Sequence, residues 1–536
     1  MSFQFTYLPH KDVNSFSNLV LDYLKGRDTI RPFYKYSTDR EGLETAKIAR
    51  ANYPVDRELL VSTLNEQYKG LSKEPKLVSN IELLVNENTF TVCTAHQPNL
   101  LTGYLYFIYK IVHAIKLAED MNKEFPHKNF VPVYYMGSED NDLEELGTFR
   151  YNGKKFVWDG AGQAGAVGRM TTESLKPLLE ELFKQLGPPG PYCDELQQML
   201  EYAYLKHETI ADATRYLVNE LFGRYGLIVL DPDDRALKRQ FIEVMKDDLV
   251  RQTGYEIVTK QIAGLAEHYK VQAHPRPINL FYLKDQIRER IDKTGDTWVV
   301  LNTDIRWTEE ELVTELEEHP ERFSPNVILR GLYQETILPN VAFIGGGAEV
   351  AYWLQLKTLF EHYDVFFPSI HLRQSVMWIG NRERELMAQE GLSVEDVFKP
   401  ETELIHQYLL KHGEDDWQTE KEMGIIEQTL GELKRKATAL DPTLRASAEA
   451  ALAKIRYQVH GLEKKMLRAE KHKMQTRLLK LSKLKAHLFP GNGLQERVEN
   501  FIGYYLQHGK GYIDILKENM EPLRHEFMVV TEQDEA

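Results

Sequence analysis

Val92-Cys93-Thr94-Ala95-His96-Gln97-Pro98-Asn99-Leu100-Leu101-Thr102-Gly103-Tyr104 changes character at its middle. A β-rich run from Phe90 to Thr94 stops in a polar elbow of His96, Gln97, Pro98 and Asn99, followed by Thr102 and Gly103. The spacing then predicts an amphipathic helix, with Tyr106, Ile108, Tyr109, Val112, Ile115 and Leu117 among its apolar positions. Strand, tight turn and helix make the first half of a doubly wound α/β unit, whose ligands bind at the carboxyl ends of the strands. The start of the helix leaves backbone N–H groups free, which suits a phosphate or a carboxylate.

His96 and Asn99 carry two readings. His-x-x-Asn is a loose relative of the His-x-Gly-His signature of adenylyl-transferring enzymes, where a histidine at such a turn donates to phosphate oxygens as charge builds. Alternatively, the two side chains only satisfy turn and N-cap hydrogen bonds.

The whole chain sets bounds on both. Its 536 residues exceed one core and imply two or three domains. With 66 basic and 81 acidic residues the net charge is −15, which weighs against a general nucleic-acid binder. Cys93 and Cys193 are the only cysteines, so neither a disulfide framework nor a four-cysteine zinc site is available, and a reducing cytoplasm fits. The N-terminus lacks a signal-peptide layout, and no run approaches the roughly 20 apolar residues of a membrane span.

Residues 1–90 read mainly as a helical preface packed on the sheet, with Leu19, Val20, Tyr23 and Leu24 on one apolar face. Phe130 to Met136 reads as a second strand. At its carboxyl end stand Ser138, Glu139, Asp140, Asn141 and Asp142, followed by Glu144 and Glu145. Carboxylates there can bind a substrate ammonium, take a proton from an attacking amine, or hold Mg²⁺. They also suit the start of a helix, although five within seven residues exceed what capping needs. Asn152-Gly153 marks a hairpin, and Gly160 to Gly168 reads as a flexible insertion. Leu227 to Leu230 is a buried-strand run stopped by Pro232. A helix is expected over about 235–253, and Phe281-Tyr282-Leu283 and Trp298 to Leu301 read as further strands.

A second elbow follows. Val341 to Ile344 leads through Gly345, Gly346 and Gly347 into a helix with Glu349, Tyr352 and Trp353. Three glycines permit close backbone approach, for an anion or for tight helix–strand packing. Arg330 and Arg373 are the nearby cations, and Asn326 opens the segment.

From about Glu414 the composition changes. Met423, Ile426, Leu430, Leu433, Ala437 and Leu440, then Ala448, Leu452, Ile455, Val459, Leu462, Met466 and Ala469, predict an antiparallel two-helix coiled coil broken at Asp441-Pro442. The basic second helix could face an acidic partner, RNA or simply solvent. Lys480 to Leu484 resembles a KMSKS loop but lies in an unbroken helical pattern. The domain reading is therefore 1–90 helical, 91–413 core with insertions, 414–489 coiled coil, and 490–536 helices returning to the core.

Taken together, His96 to Gly103, Ser138 to Asp142, Ile344 to Glu349 with Tyr352-Trp353, and Leu494 to Arg497 resemble the bacillithiol-biosynthesis cysteine ligase family, BshC. That resemblance implies a Rossmann-like doubly wound core with helical insertions and a coiled coil used for homodimerisation. It also implies an amide bond formed between L-cysteine and the amine of glucosaminyl-malate, the last step of bacillithiol synthesis. The chain departs from the family's Glu-Asp-His-Asp motif, with Asn141 in the histidine's place.

On this reading His96 and Asn99 hold ATP phosphates while cysteinyl-adenylate forms, and Glu139 or Asp140 holds the sugar ammonium and accepts its proton. Thr102, Gly103, Asp142, Asn326, Arg330, Gly346, Gly347, Glu349, Tyr352, Trp353 and Arg373 are the expected substrate contacts. Gln97, Arg497, Asn500 and Tyr504 are the expected nucleotide contacts. ATP with Mg²⁺ is the expected cosubstrate, and no protein metal site, nucleic acid or membrane is expected. The alternative is a dimeric scaffold that holds a nucleotide as a regulatory ligand and lacks ligase activity.

Overall fold

The computed structural model describes residues 2–413 and 417–534. Glu414, where the composition shifts, lies outside the described residues. The chain divides into two compact units, one of Phe5–Met377 with Leu494–Val530, the other built mainly of Trp378–Gly493.

The first unit is organised on five parallel strands: β1 (Thr89–His96), β2 (Asn129–Met136), β3 (Ile228–Leu230), β4 (Asn340–Gly345) and β5 (Ser369–Leu372). Their spatial order is β3-β2-β1-β4-β5, with every neighbouring pair parallel. This is the doubly wound Rossmann-like order, and its topological switch point lies between β1 and β4. Such strands are covered on both faces, which is why β2, β3 and β4 read as nearly continuous apolar runs rather than alternations. Helix α1 (Leu105–Glu124) buries thirteen of its twenty residues. Its Ala114, Leu117, Ala118 and Met121 share one core with Phe90, Val92, Phe130, Val341 and Ile344.

Two insertions interrupt this core. Between β2 and β3, Thr148–Tyr151 and Lys154–Val157 form the expected hairpin, with Asn152 and Gly153 both at positive φ as the tight turn requires. The Gly160–Gly168 stretch is not a free loop. Val167 donates to the carbonyl of Asp140 (2.7 Å) and Gly168 to that of Ser138 (2.9 Å), so the stretch braces the acidic segment. A Cβ on Gly168 would lie 2.6 Å from Ser138 Cβ, so glycine is required by close approach. Between β3 and β4 stands a five-stranded antiparallel sheet that contains the two predicted strands as Leu280–Lys284 and Thr297–Val300, and also Ile287–Thr294. The helix expected over 235–253 is broken into Arg235–Arg239, Ile242–Val250 and Thr253–Ala266, with Gln252 at φ 60° between the last two.

The helical preface is preceded by a strand, Ser2–Pro9, which pairs with Glu526–Gln533; Val376–Ile379 completes that three-stranded sheet. The second unit carries an antiparallel helix pair, α2 (Glu420–Leu440) and α3 (Leu444–Lys473). Lys434 pairs with Glu449 (2.5 Å) and Glu427 with Arg456 (2.6 Å), one heptad apart in opposite directions, which sets the antiparallel register. Lys480 to Leu484 lies inside the helix Gln475–Leu488. Among the described residues no helix is long and apolar enough to cross a membrane.

Candidate active site

Both elbows stand at the switch point. The first follows β1, and the second, Gly345 to Gly347, follows β4. Lys110 of α1 joins them: it is 3% exposed, donates to the carbonyl of Ala95 (3.0 Å) and forms an ion pair with Glu349. Glu349 in turn accepts from the N–H of Gly346 (2.8 Å). Lys110 escaped the sequence reading, although a lone lysine inside an apolar helical run was the available signal.

His96 packs its ring against Tyr106 (5.3 Å) and Phe107 (5.4 Å). Burial, then the charges of Lys110 and Arg373, hold its imidazole well below the usual histidine range, so it is neutral near pH 7. Asn99 caps no N–H. Both its side-chain polar atoms and the hydroxyl of Thr102 are buried with no partner among the described residues. The capping explanation for Asn99 therefore fails, and the elbow presents three unspent polar atoms. Gly103 leaves no room for a Cβ, which would lie 2.9 Å from that of Asn99.

The acidic segment separates into distinct roles. Glu139 is 5% exposed and ion-paired with Lys238, a buried residue that sequence reasoning also missed. Asp142 accepts from the N–H of Glu145 (3.1 Å) and starts a short helix. Asp140 stays open to the crevice edge: Gln97 donates to it (3.3 Å) and Arg330 stands 3.8 Å away. Burial alone would raise its pKa, but Arg330, then Arg288 and the Gln97 hydrogen bond, hold it below the usual carboxylate value. Tyr352, half-buried, adjoins Arg330.

Other expected contacts lie elsewhere. Arg373 is not free for a substrate carboxylate: Glu496 takes its guanidinium with two bonds (2.8 and 2.6 Å), and the pair is buried. Trp353 is 1% exposed and packs on Phe343, Phe360 and Phe367, so it belongs to the core. Asn326 caps the helix Val327–Ile337. Asn500 donates to the carbonyls of Leu101 (2.8 Å) and Gly103 (2.5 Å), and its oxygen accepts from Ile502, which leaves its amide fully used. Tyr504 is bonded to Glu499 (2.6 Å) and stacks on Tyr512. Arg497 does reach a cavity, of about 350 Å³, whose wall includes Gly347, Ala348, His268 and Lys270 and no carboxylate. Such a surplus of cations fits phosphate oxygens. Among the described residues no group of three or more His, Cys, Asp or Glu side chains is placed to hold a metal.

A family model described as bacillithiol biosynthesis BshC, N-terminal Rossmann-like domain, matches residues 3–374, and its C-terminal coiled-coil domain matches residues 376–532. A curated relative from Flavobacterium johnsoniae is 39% identical over 518 residues, covering 96% of this chain and 97% of its own. One from Christiangramia forsetii is 37% identical and covers 98% of each chain. One from Salinibacter ruber is 30% identical over 95% of each. All three bear the description "Putative cysteine ligase BshC".

Proposed function

The chain belongs to the BshC family of bacillithiol biosynthesis, and from that membership we propose that it is a carbon–nitrogen ligase joining L-cysteine to glucosaminyl-malate at the expense of ATP. An acid and an amine do not condense readily in water, so the cysteine carboxylate must first be activated, and ATP is the reagent we assign to that step. The cavity lined by His268, Lys270 and Arg497 would receive its phosphates, with Mg²⁺ entering as their companion. The neutral His96 with Asn99 and Thr102 would offer hydrogen bonds, rather than a full charge, at the switch point.

Asp140 carries this reading. A carboxylate held ionised at the mouth of the crevice, with Arg330 beside it, suits a substrate that bears both an ammonium and carboxylates. Its lowered pKa makes it a better anchor for the ammonium than an acceptor of its proton. The C–N bond forms when the amine, having released that proton to solvent, attacks the activated carboxyl carbon; the C–O bond to AMP or phosphate breaks and a second proton passes from the nitrogen to solvent. The reaction belongs in the cytoplasm, where thiols stay reduced, and we assign the working form as a homodimer joined through the coiled coil.

The test is incubation of the purified protein with cysteine, glucosaminyl-malate and Mg-ATP, each omitted in turn, with products followed by mass spectrometry. Bacillithiol is expected only from the complete mixture. Release of AMP would identify an adenylate and release of ADP an acyl phosphate. Asp140→Asn is expected to lower kcat/KM for glucosaminyl-malate by about a hundredfold, the loss of one charged contact. Nucleotide binding with no product from the complete mixture would instead favour the scaffold.

A further inference from the structure

Arg288 stands on the inserted strand Ile287–Thr294, only 6% exposed. Its guanidinium lies over the ring of Phe281 (4.0 Å), and one terminal nitrogen donates to Asn141 Oδ1 (2.9 Å). Its Nε is buried with no acceptor among the described residues. The side chain lines a cavity of about 350 Å³ whose other walls include Asn141, Gln163, Gln286 and Asn302. Glu289 is also at this wall, where Asn302 donates to it (3.2 Å).

Two of the neighbouring carboxylates are already taken. Glu139 is committed to Lys238, and Asp233 to Arg169 (2.6 Å). Arg330 stands 3.8 Å from Asp140 and Arg288 is bonded to the next residue, Asn141, so the two arginines flank the Asp140–Asn141 step. A charged donor buried without an acceptor is costly, so the unpaired Nε of Arg288 suits an oxygen anion that arrives. Two arginines against one aspartate mirror a substrate with two carboxylates and one ammonium.

We propose that Arg288 and Arg330 form a two-arginine subsite for the two malate carboxylates of the acceptor, with Asp140 taking its ammonium. The subsite rests on the ligase reading for its physiological ligand, but its chemistry, recognition of a dicarboxylate, can be measured alone. Arginine's planar fork suits paired carboxylate oxygens, and the amides around the cavity supply further donors. Asn141 fits this scheme as the acceptor that orients Arg288.

The first measurement is calorimetric titration of the full chain with L-malate. Binding to the wild type is expected, weakened at least tenfold in Arg288→Met and less in Arg288→Lys. In the ligase assay, Arg288→Met should raise KM for glucosaminyl-malate by about ten- to a hundredfold and leave KM for cysteine unchanged. Methyl glucosaminide, which lacks the carboxylates, should be used equally by both proteins. Malate binding unaffected by Arg288→Met, or an equal rise in KM for cysteine, overturns the subsite. Should Arg288→Met fail to fold in a thermal melt, Arg288→Lys carries the test through the same split of KM values. Arg288-dependent malate binding without ligation would uphold the subsite and defeat the ligase reading. Ligation indifferent to Arg288 would do the reverse.

Discussion

Leu101, Thr102 and Gly103 have φ of 48°, 62° and 65° in succession. Leucine and threonine at positive φ each cost about 1–2 kcal/mol, and such strain persists only where surrounding groups enforce it. Here the enforcers are the Asn500 amide on two carbonyls and the Tyr204 hydroxyl, which accepts from the N–H of Leu101 (2.8 Å). Asn500→Leu should therefore lower unfolding stability by about 2 kcal/mol. It should also lower kcat with little change in KM, since the elbow would relax and move Asn99 and Thr102. Denaturant titration and steady-state kinetics read the two effects, and an unchanged kcat in the destabilised variant would show that the strain is incidental. The turn was legible from Pro98, Asn99 and Gly103. The left-handed backbone was not, because neither leucine nor threonine favours it and the clamp comes from 399 residues away. Arg373 and Trp353 misled for a related reason: their residue types suit a ligand, but Glu496 and three phenylalanines reach them first.

Elements are held in place by contacts of a similar kind. The end of β1, helix α1 and the glycine turn after β4 meet at Lys110, whose ammonium ties the carbonyl of Ala95 to the carboxylate of Glu349. Lys110→Met leaves that carbonyl and carboxylate without their cation, at a cost of about 3–5 kcal/mol. Adding Glu349→Leu should restore part of the loss, because the uncompensated charge goes with it. A double-mutant cycle in denaturant measures this, and strict additivity would mean that the pair does not join the elbows. Four of the five parallel strands were legible because each carries a short β-prone or apolar run that ends in turn residues; Ser369–Leu372, with a serine and a histidine among its four residues, was not. Ser2–Pro9 and Glu526–Gln533 were harder, since each becomes a strand by pairing with a partner from the other end of the chain. The expected helix over 235–253 was overestimated because its apolar period runs on through Phe241 and Gln252, where the backbone turns.

At the scale of the whole molecule, the coiled coil shows most clearly what one chain leaves unfinished. Leu433, Leu440 and Leu462 were expected in the seam between α2 and α3, yet they are 53%, 85% and 56% exposed. Ile425 is 67% exposed, and no residue of α2 is buried at all. Ile425, Leu433 and Leu440 are eight and seven residues apart and so fall on one face of the helix. The heptad pattern thus specifies more apolar surface than two helices can cover, and an exposed stripe of this kind is the mark of an interface. In the proposed homodimer a second copy of the same helix pair would supply the missing holes. In sedimentation at micromolar concentration the full chain should run at twice its own mass. Ile425→Glu with Leu433→Glu should return it to a single chain while circular dichroism holds its helical signal, because neither side chain is buried within the chain. Catalysis in the separated chains would place the whole active site within one copy, whereas its loss at constant helicity would mean that pairing completes it. A wild-type chain sedimenting alone at that concentration would leave the stripe without an occupant and remove the dimer from the proposed function.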